Sequence, residues 1–260
     1  MVNASATPIM KQIPLAIGPD PLPTFDSFLP GANGAAVEHL RRLAMPSPPV
    51  YLWGPAGSGK THLLRALAHA CQQGGQRVGW FDASDTTPWP LSPDWSLIII
   101  DRCDELDGAA QQAAFTLFVE AATEGVQVAA AGRLPPVDLV LRDDLRTRLG
   151  WGPVFAMQPL DESETRAALR GEGHRRGILL SDEVMDHLLT RFPRDLKHLM
   201  ALLDRLDDFA LSRSRAVTVP LVKAMLAEEG SPQAALRRPP PEGVEETSGG
   251  RAFPREGSNA

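Results

Sequence analysis

The run Val50-Tyr51-Leu52-Trp53-Gly54-Pro55-Ala56-Gly57-Ser58-Gly59-Lys60-Thr61 constrains the fold more than any other stretch of the chain. Four apolar residues lead into the pattern G-x-x-x-x-G-K-[ST], and Thr61-His62-Leu63-Leu64-Arg65-Ala66-Leu67-Ala68 then reads as a helix. Strand, glycine-rich turn and helix in that order predict a phosphate cradle. Glycines at 54, 57 and 59 let successive backbone N–H groups converge on one anion. The helix opening near Lys60 adds the positive end of its dipole. Lys60 is expected to reach the β- and γ-phosphates, and the Thr61 hydroxyl to help hold Mg²⁺. The residues expected around the nucleotide are Gly54, Pro55, Ala56, Gly57, Ser58, Gly59, Lys60, Thr61 and His62.

The totals narrow what else the chain can be. Its 260 residues suffice for one large or two modest domains, and 43% apolar content supports a real core. A formal net charge of −6 argues against a sequence-independent grip on DNA, which needs a basic surface. Only Cys71 and Cys103 are present, both among apolar neighbours, so buried thiols in a reducing cytoplasm are expected rather than a disulfide framework. The six histidines show no zinc-ligand spacing. No apolar run approaches a membrane span, and the N-terminus lacks the apolar segment of a signal peptide.

Residues 1–23 hold five prolines and no periodic pattern, which predicts an extended arm. Thr24-Phe25-Asp26-Ser27-Phe28 opens the folded part with two aromatic anchors. Residues 34–43 read as an amphipathic helix, with Val37, Leu40 and Leu43 on one face. Gly74-Gly75 ends the helix after the phosphate loop, and residues 77–82 form a plausible second strand. Leu97-Ile98-Ile99-Ile100-Asp101 is an unbroken apolar run ending in a carboxylate, suited to a central parallel strand. Asp101 then stands where open α/β sheets place their ligands and is expected to position Mg²⁺, directly or through water. Residues 109–124 predict a helix and 126–131 the next strand. After residue 158 strand–helix alternation gives way to helices alone, so a boundary is expected there. Helices are expected over residues 162–176, from Asp182 behind a Ser181 cap, from Asp195, and around Pro220. The expected domains are an arm (1–23), an α/β nucleotide-binding base (24–158), a helical lid (159–229) and a disordered tail (230–260), which shows no helix-turn-helix pattern.

The phosphate loop, Asp101 and the helical region after an α/β base resemble the AAA+ ATPases. The block Arg146-Thr147-Arg148-Leu149-Gly150-Trp151-Gly152 and the segment Phe192-Pro193-Arg194-Asp195-Leu196 narrow the resemblance to the branch of the replication initiator DnaA, over residues 24–229. The resemblance implies a parallel sheet flanked by helices, then a small lid, with ADP or ATP and Mg²⁺ bound. It implies that Arg148 is an arginine finger inserted into a neighbouring subunit's nucleotide, since a guanidinium offers planar charged donors to a phosphoryl group in transit. Arg194 matches the sensor 2 arginine of the lid. The chain departs from the family directly after Asp101: Arg102 stands where a second acid usually polarises the attacking water. Slow intrinsic hydrolysis is the expectation. Gly132 and Arg133 also differ from the small polar sensor expected after their strand, so Arg133's part stays open.

Within the arm, Gln12-Ile13-Pro14-Leu15-Ala16-Ile17 resembles the short peptide by which replication proteins bind the sliding clamp, with Gln12, Leu15 and Ile17 as contacts. Taken together, the resemblance implies a cytoplasmic negative regulator of replication initiation. It would bind the DNA polymerase sliding clamp and stimulate ATP hydrolysis by DnaA, without sequence-specific DNA binding or a membrane; self-association stays open. Two rival readings predict different features. An ATP-driven remodeller, such as a helicase loader or transposition helper, needs strong turnover and single-strand DNA binding. A small-molecule kinase on the same loop leaves the Arg148 block unexplained.

Overall fold

The computed structural model describes residues 23–192 and 195–229. Gln12, Leu15, Ile17, Arg194 and the tail from Gly230 lie outside the described residues.

Five strands form one parallel sheet: β1 (Val50–Trp53), β2 (Arg77–Phe81), β3 (Trp95–Ile100), β4 (Gln127–Gly132) and β5 (Val154–Ala156). Their order across the sheet is β2-β3-β4-β1-β5. The helices are α1 (Gly34–Arg41), α2 (Lys60–Gln73), α3 (Gly108–Glu124), α4 (Asp143–Leu149), α5 (Glu162–Arg175), α6 (Asp182–Arg191), α7 (Leu196–Arg213) and α8 (Val219–Glu229).

The unbroken apolar runs follow from a sheet covered on both faces, with alternate residues supplying opposite cores. Tyr51, Ile98, Ile100, Val128 and Ala130 point to the face packed by Ala114, Leu117 and Phe118 of α3 and by Leu145 and Leu149 of α4. Val50, Leu52, Leu97, Ile99, Ala129 and Ala131 point to the opposite face, against Val37 and Leu40 of α1 and Leu63, Leu64 and Leu67 of α2. A third cluster joins the helices beyond the sheet through Leu169, Met185, Leu189 and Leu199.

Helix starts follow local chemistry. Asp107, Asp161, Ser181 and Asp195 each cap a helix by accepting a backbone N–H, and Asp161 with Glu164 completes a capping box. Helix α1 stops at Arg41, two residues short of the expected end, leaving Leu43 half-buried beyond it. Strand β5 was absent from the sequence reading; it is three residues long, and Val154 and Ala156 are both exposed. Compactness divides the chain between Val219 and Pro220, so α5–α7 fall in one unit with the sheet and nearly all of α8 in the other.

Candidate functional site

Parallel strands end together, and the carboxyl ends of β1, β3 and β4 bring the phosphate loop, Asp101 and Arg133 to one rim. Lys60 opens α2, and its Nζ donates to the carbonyls of Gly54 at 2.7 Å and Pro55 at 2.8 Å. The N–H groups of the first turn of α2 have no partner within the helix. Burial pulls the Lys60 ammonium below its usual range, and Arg133 adds to this, while Asp101 and Asp104 act the other way. Phosphate oxygens would find a cation and unpaired amides here.

Asp101 is buried and both of its oxygens are engaged. Oδ2 accepts from the Thr61 hydroxyl at 2.6 Å and Oδ1 from the Arg102 backbone N–H at 2.9 Å. A hydroxyl and a carboxylate this close suit Mg²⁺, which keeps several waters and takes its remaining ligands from phosphate. No cluster of three or more metal-ligating side chains occurs among the described residues.

Arg102 has left-handed backbone geometry, with φ 54°, and its guanidinium pairs with Asp82 at 2.7 Å, just beyond the end of β2. Asp82 also accepts from Ser84 N at 2.7 Å. Burial raises the Asp82 pKa, but the hydrogen bonds from Arg102 and Ser84 outweigh it and hold it at about 2. Arg133 is similarly committed: its backbone N–H reaches Asp104 Oδ1 at 2.9 Å, its Nε lies 3.1 Å from Asp104 Oδ2, and it pairs with Glu105. The two acids that follow Asp101 most closely are therefore spent on Arg133 and on Glu105's contact with Arg102. A free carboxylate beside the phosphate loop, as a general base requires, is not provided by either.

Two contacts with the loop escaped the sequence reading. Phe28 lies against Gly59 and tilts over His62 at 5.4 Å, while His62 Nε2 is 3.1 Å from the Thr24 carbonyl. The N-terminal anchor thus packs on the loop itself. Asp195, at the start of α7, approaches from the lid. A Cβ on Gly57 would stand 2.8 Å from that of Asp195, and Gly57 holds φ +78°, so the closeness and the backbone both require glycine.

Arg148 stands apart from all of this. It closes α4 and borders a cavity of about 450 Å³ with Pro49, Val126 and Val128, which lie at the amino ends of β1 and β4. The phosphate loop is at the opposite ends of those strands, on the order of 15 Å away for strands of this length. Arg148 is therefore out of reach of its own chain's loop. Two nearby arginines are neutralised, Arg142 at the N-cap of α4 by Asp144 at 2.7 Å and Arg146 within the helix by Asp143 at 2.5 Å. Arg148 has no carboxylate partner among the described residues; its guanidinium lies over Phe115 at 5.2 Å and Trp151 at 5.5 Å.

Comparison with known proteins bears on the fold and on the helices that follow the sheet. Residues 161–226 match the family model described as "Hda, lid domain". Domain III of the Thermotoga maritima replication initiation protein DnaA is similar in fold, with a TM-score of 0.65 and 22% identity, over 80% of this chain and 98% of that one. AMPPCP-bound DnaA from Aquifex aeolicus gives a TM-score of 0.58 and 22% identity, over 71% and 66%. A Thermotoga maritima RuvB variant gives 0.59 and 15% identity, over 79% and 72%.

Proposed function

We propose that this DnaA-like AAA+ chain, whose lid matches that of Hda, is a negative regulator of replication initiation that acts on the ATP of DnaA. The observation that carries the reading is the placement of Arg148, whose donors have no carboxylate partner among the described residues and which sits at the far end of the sheet from its own phosphate loop. A guanidinium so placed can serve a phosphoryl group only on another molecule. As charge spreads over the transferring phosphoryl oxygens, planar N–H donors stabilise them, and a residue supplied in trans can accelerate hydrolysis by orders of magnitude.

The chain's own site fits a structural part. Lys60, Thr61 and the loop amides would hold the phosphates of ADP or ATP, and Asp101 with Thr61 would orient Mg²⁺. Bound Mg²⁺ would supply charge neutralisation between phosphate oxygens. Arg102, tied to Asp82, occupies the position from which an acid would activate water. Retention of nucleotide with slow turnover follows, and this weighs against an ATP-driven remodeller.

Two further parts rest on sequence alone. Gln12, Leu15 and Ile17 would tether the protein to the sliding clamp, and Arg194 would face the nucleotide from the lid. A cytoplasmic location accords with these partners, and no helix among the described residues is long and apolar enough to cross a membrane.

The test is hydrolysis of ATP pre-bound to DnaA, with and without this protein and DNA-loaded clamp. Stimulation that needs both is expected; DnaA turnover unchanged by the pair contradicts the reading. Replacing Gln12 and Leu15 with Ala should abolish capture by immobilised clamp while leaving ADP binding intact.

A further inference from the structure

The block Arg148-Leu149-Gly150-Trp151-Gly152 contains more than a finger. Gly150 caps α4, and the Trp151 backbone N–H donates to the Arg148 carbonyl at 3.2 Å. This bend turns the Trp151 indole back over the residue three positions earlier, at 5.5 Å. Phe115, from the middle of α3, supplies a second ring at 5.2 Å. Gly152 fixes the bend from behind: a Cβ there would stand 2.1 Å from the Pro49 carbonyl oxygen and 2.9 Å from Pro48 Cβ. Any larger residue would lift Trp151 away from the lead-in to β1. Trp151 is nonetheless 67% exposed, so its indole is not simply core filling.

A guanidinium resting on aromatic faces is held through its π-surface, and its five N–H donors, which lie in its plane, remain free. A carboxylate would fix the same side chain by consuming those donors, as Asp143 does for Arg146; Arg142 also lies over Phe115, at 5.5 Å, but spends its donors on Asp144, and only Arg148 has the Trp151 ring. An unsupported arginine would have to give up rotamer freedom on meeting its target. Aromatic support is the arrangement that orders the finger without occupying it.

We propose that Trp151, assisted by Phe115 and braced by Gly152, is a positioning residue that pre-orders Arg148 for a phosphoryl group on the partner. This rests on the trans-acting reading of Arg148 given above.

The test compares wild type, Trp151→Ala, Trp151→Phe and Arg148→Ala for stimulation of ATP hydrolysis by DnaA, titrating each in the presence of DNA-loaded clamp. Trp151→Ala should lower maximal stimulation by roughly tenfold with the half-saturating concentration unchanged, and Trp151→Phe should restore most of it. The Arg148 Nε–Hε resonance, assigned by its loss in Arg148→Lys, should lie upfield from ring currents in wild type and return to the solvent-exposed position in Trp151→Ala. Should Trp151→Ala fail to fold, Trp151→Leu keeps the apolar bulk while removing the π-face and reads the same two quantities. Unchanged or increased stimulation on loss of the ring overturns the proposal. So does an effect confined to half-saturation, which would make Trp151 a contact residue. If Arg148→Ala abolishes stimulation in the same assay while the Trp151 variants are silent, only the positioning role fails; if Arg148→Ala stimulates like wild type, the trans reading fails as well.

Discussion

At the scale of single residues, the strand end beside the phosphate loop carries an arginine tied to a neighbouring carboxylate. Arg102 follows Asp101, donates its backbone N–H to the Asp101 carboxylate and carries its guanidinium to Asp82. This pair also has a pH signature. The Asp82 pKa falls from 3.8 to about 2 in the folded chain, because the hydrogen bonds from Arg102 and Ser84 outweigh burial. A depressed carboxylate contributes stability that is fully present above its unfolded value and lost as pH falls through the folded one. Asp82→Asn should therefore lower the melting temperature at pH 7. The difference from wild type should shrink between about pH 4 and pH 2, which parallel thermal melts would show. A gap that persists unchanged at pH 2 would rule out ionisation of Asp82 as its source.

At the scale of elements, the phosphate loop is a junction of three parts: β1 leads in, α2 leads out and the start of α7 presses on it. Gly57 and Gly75 give a matched pair for testing this. Both hold φ +78°, but a Cβ meets Asp195 at 2.8 Å in the first case and nothing within 4 Å in the second. Alanine at either position should cost roughly 1–2 kcal/mol of stability through its left-handed backbone. Only Gly57→Ala should also weaken ADP binding, by pushing α7 off the loop; equal affinities by calorimetry would show that this contact is idle. The sequence revealed the loop, the buried run ending at Asp101, the cap at Ser181 and the helix start near Asp195, because each is written in consecutive residues. It did not reveal Phe28 on His62, Asp195 on Gly57 or Phe115 beneath Arg148. Those contacts join residues 33 or more positions apart, and no local period records them. Strand β5 escaped for another reason: with three residues and two of them exposed, its place is set by pairing with β1 rather than by its own pattern.

At the scale of the whole molecule, the parallel sheet separates two chemistries. One rim carries the phosphate loop, with Lys60, Thr61 and Asp101; the other carries Arg148 on its aromatic support. A ligand that binds only the folded state stabilises it by mass action, by about 2.7 kcal/mol at a hundredfold excess over Kd. ADP should therefore raise the melting temperature of the full chain, and Lys60→Ala should remove that increase; an equal rise in both proteins would place the nucleotide elsewhere. The division of labour between the two rims is the central claim, and one measurement addresses it most directly. ATP pre-bound to DnaA is followed through a single turnover with clamp on DNA and either wild-type protein or Arg148→Ala. The account predicts that wild type accelerates hydrolysis, whereas Arg148→Ala leaves it at the rate of DnaA alone despite equal ADP binding and clamp capture. Acceleration by Arg148→Ala equal to that of wild type would contradict it.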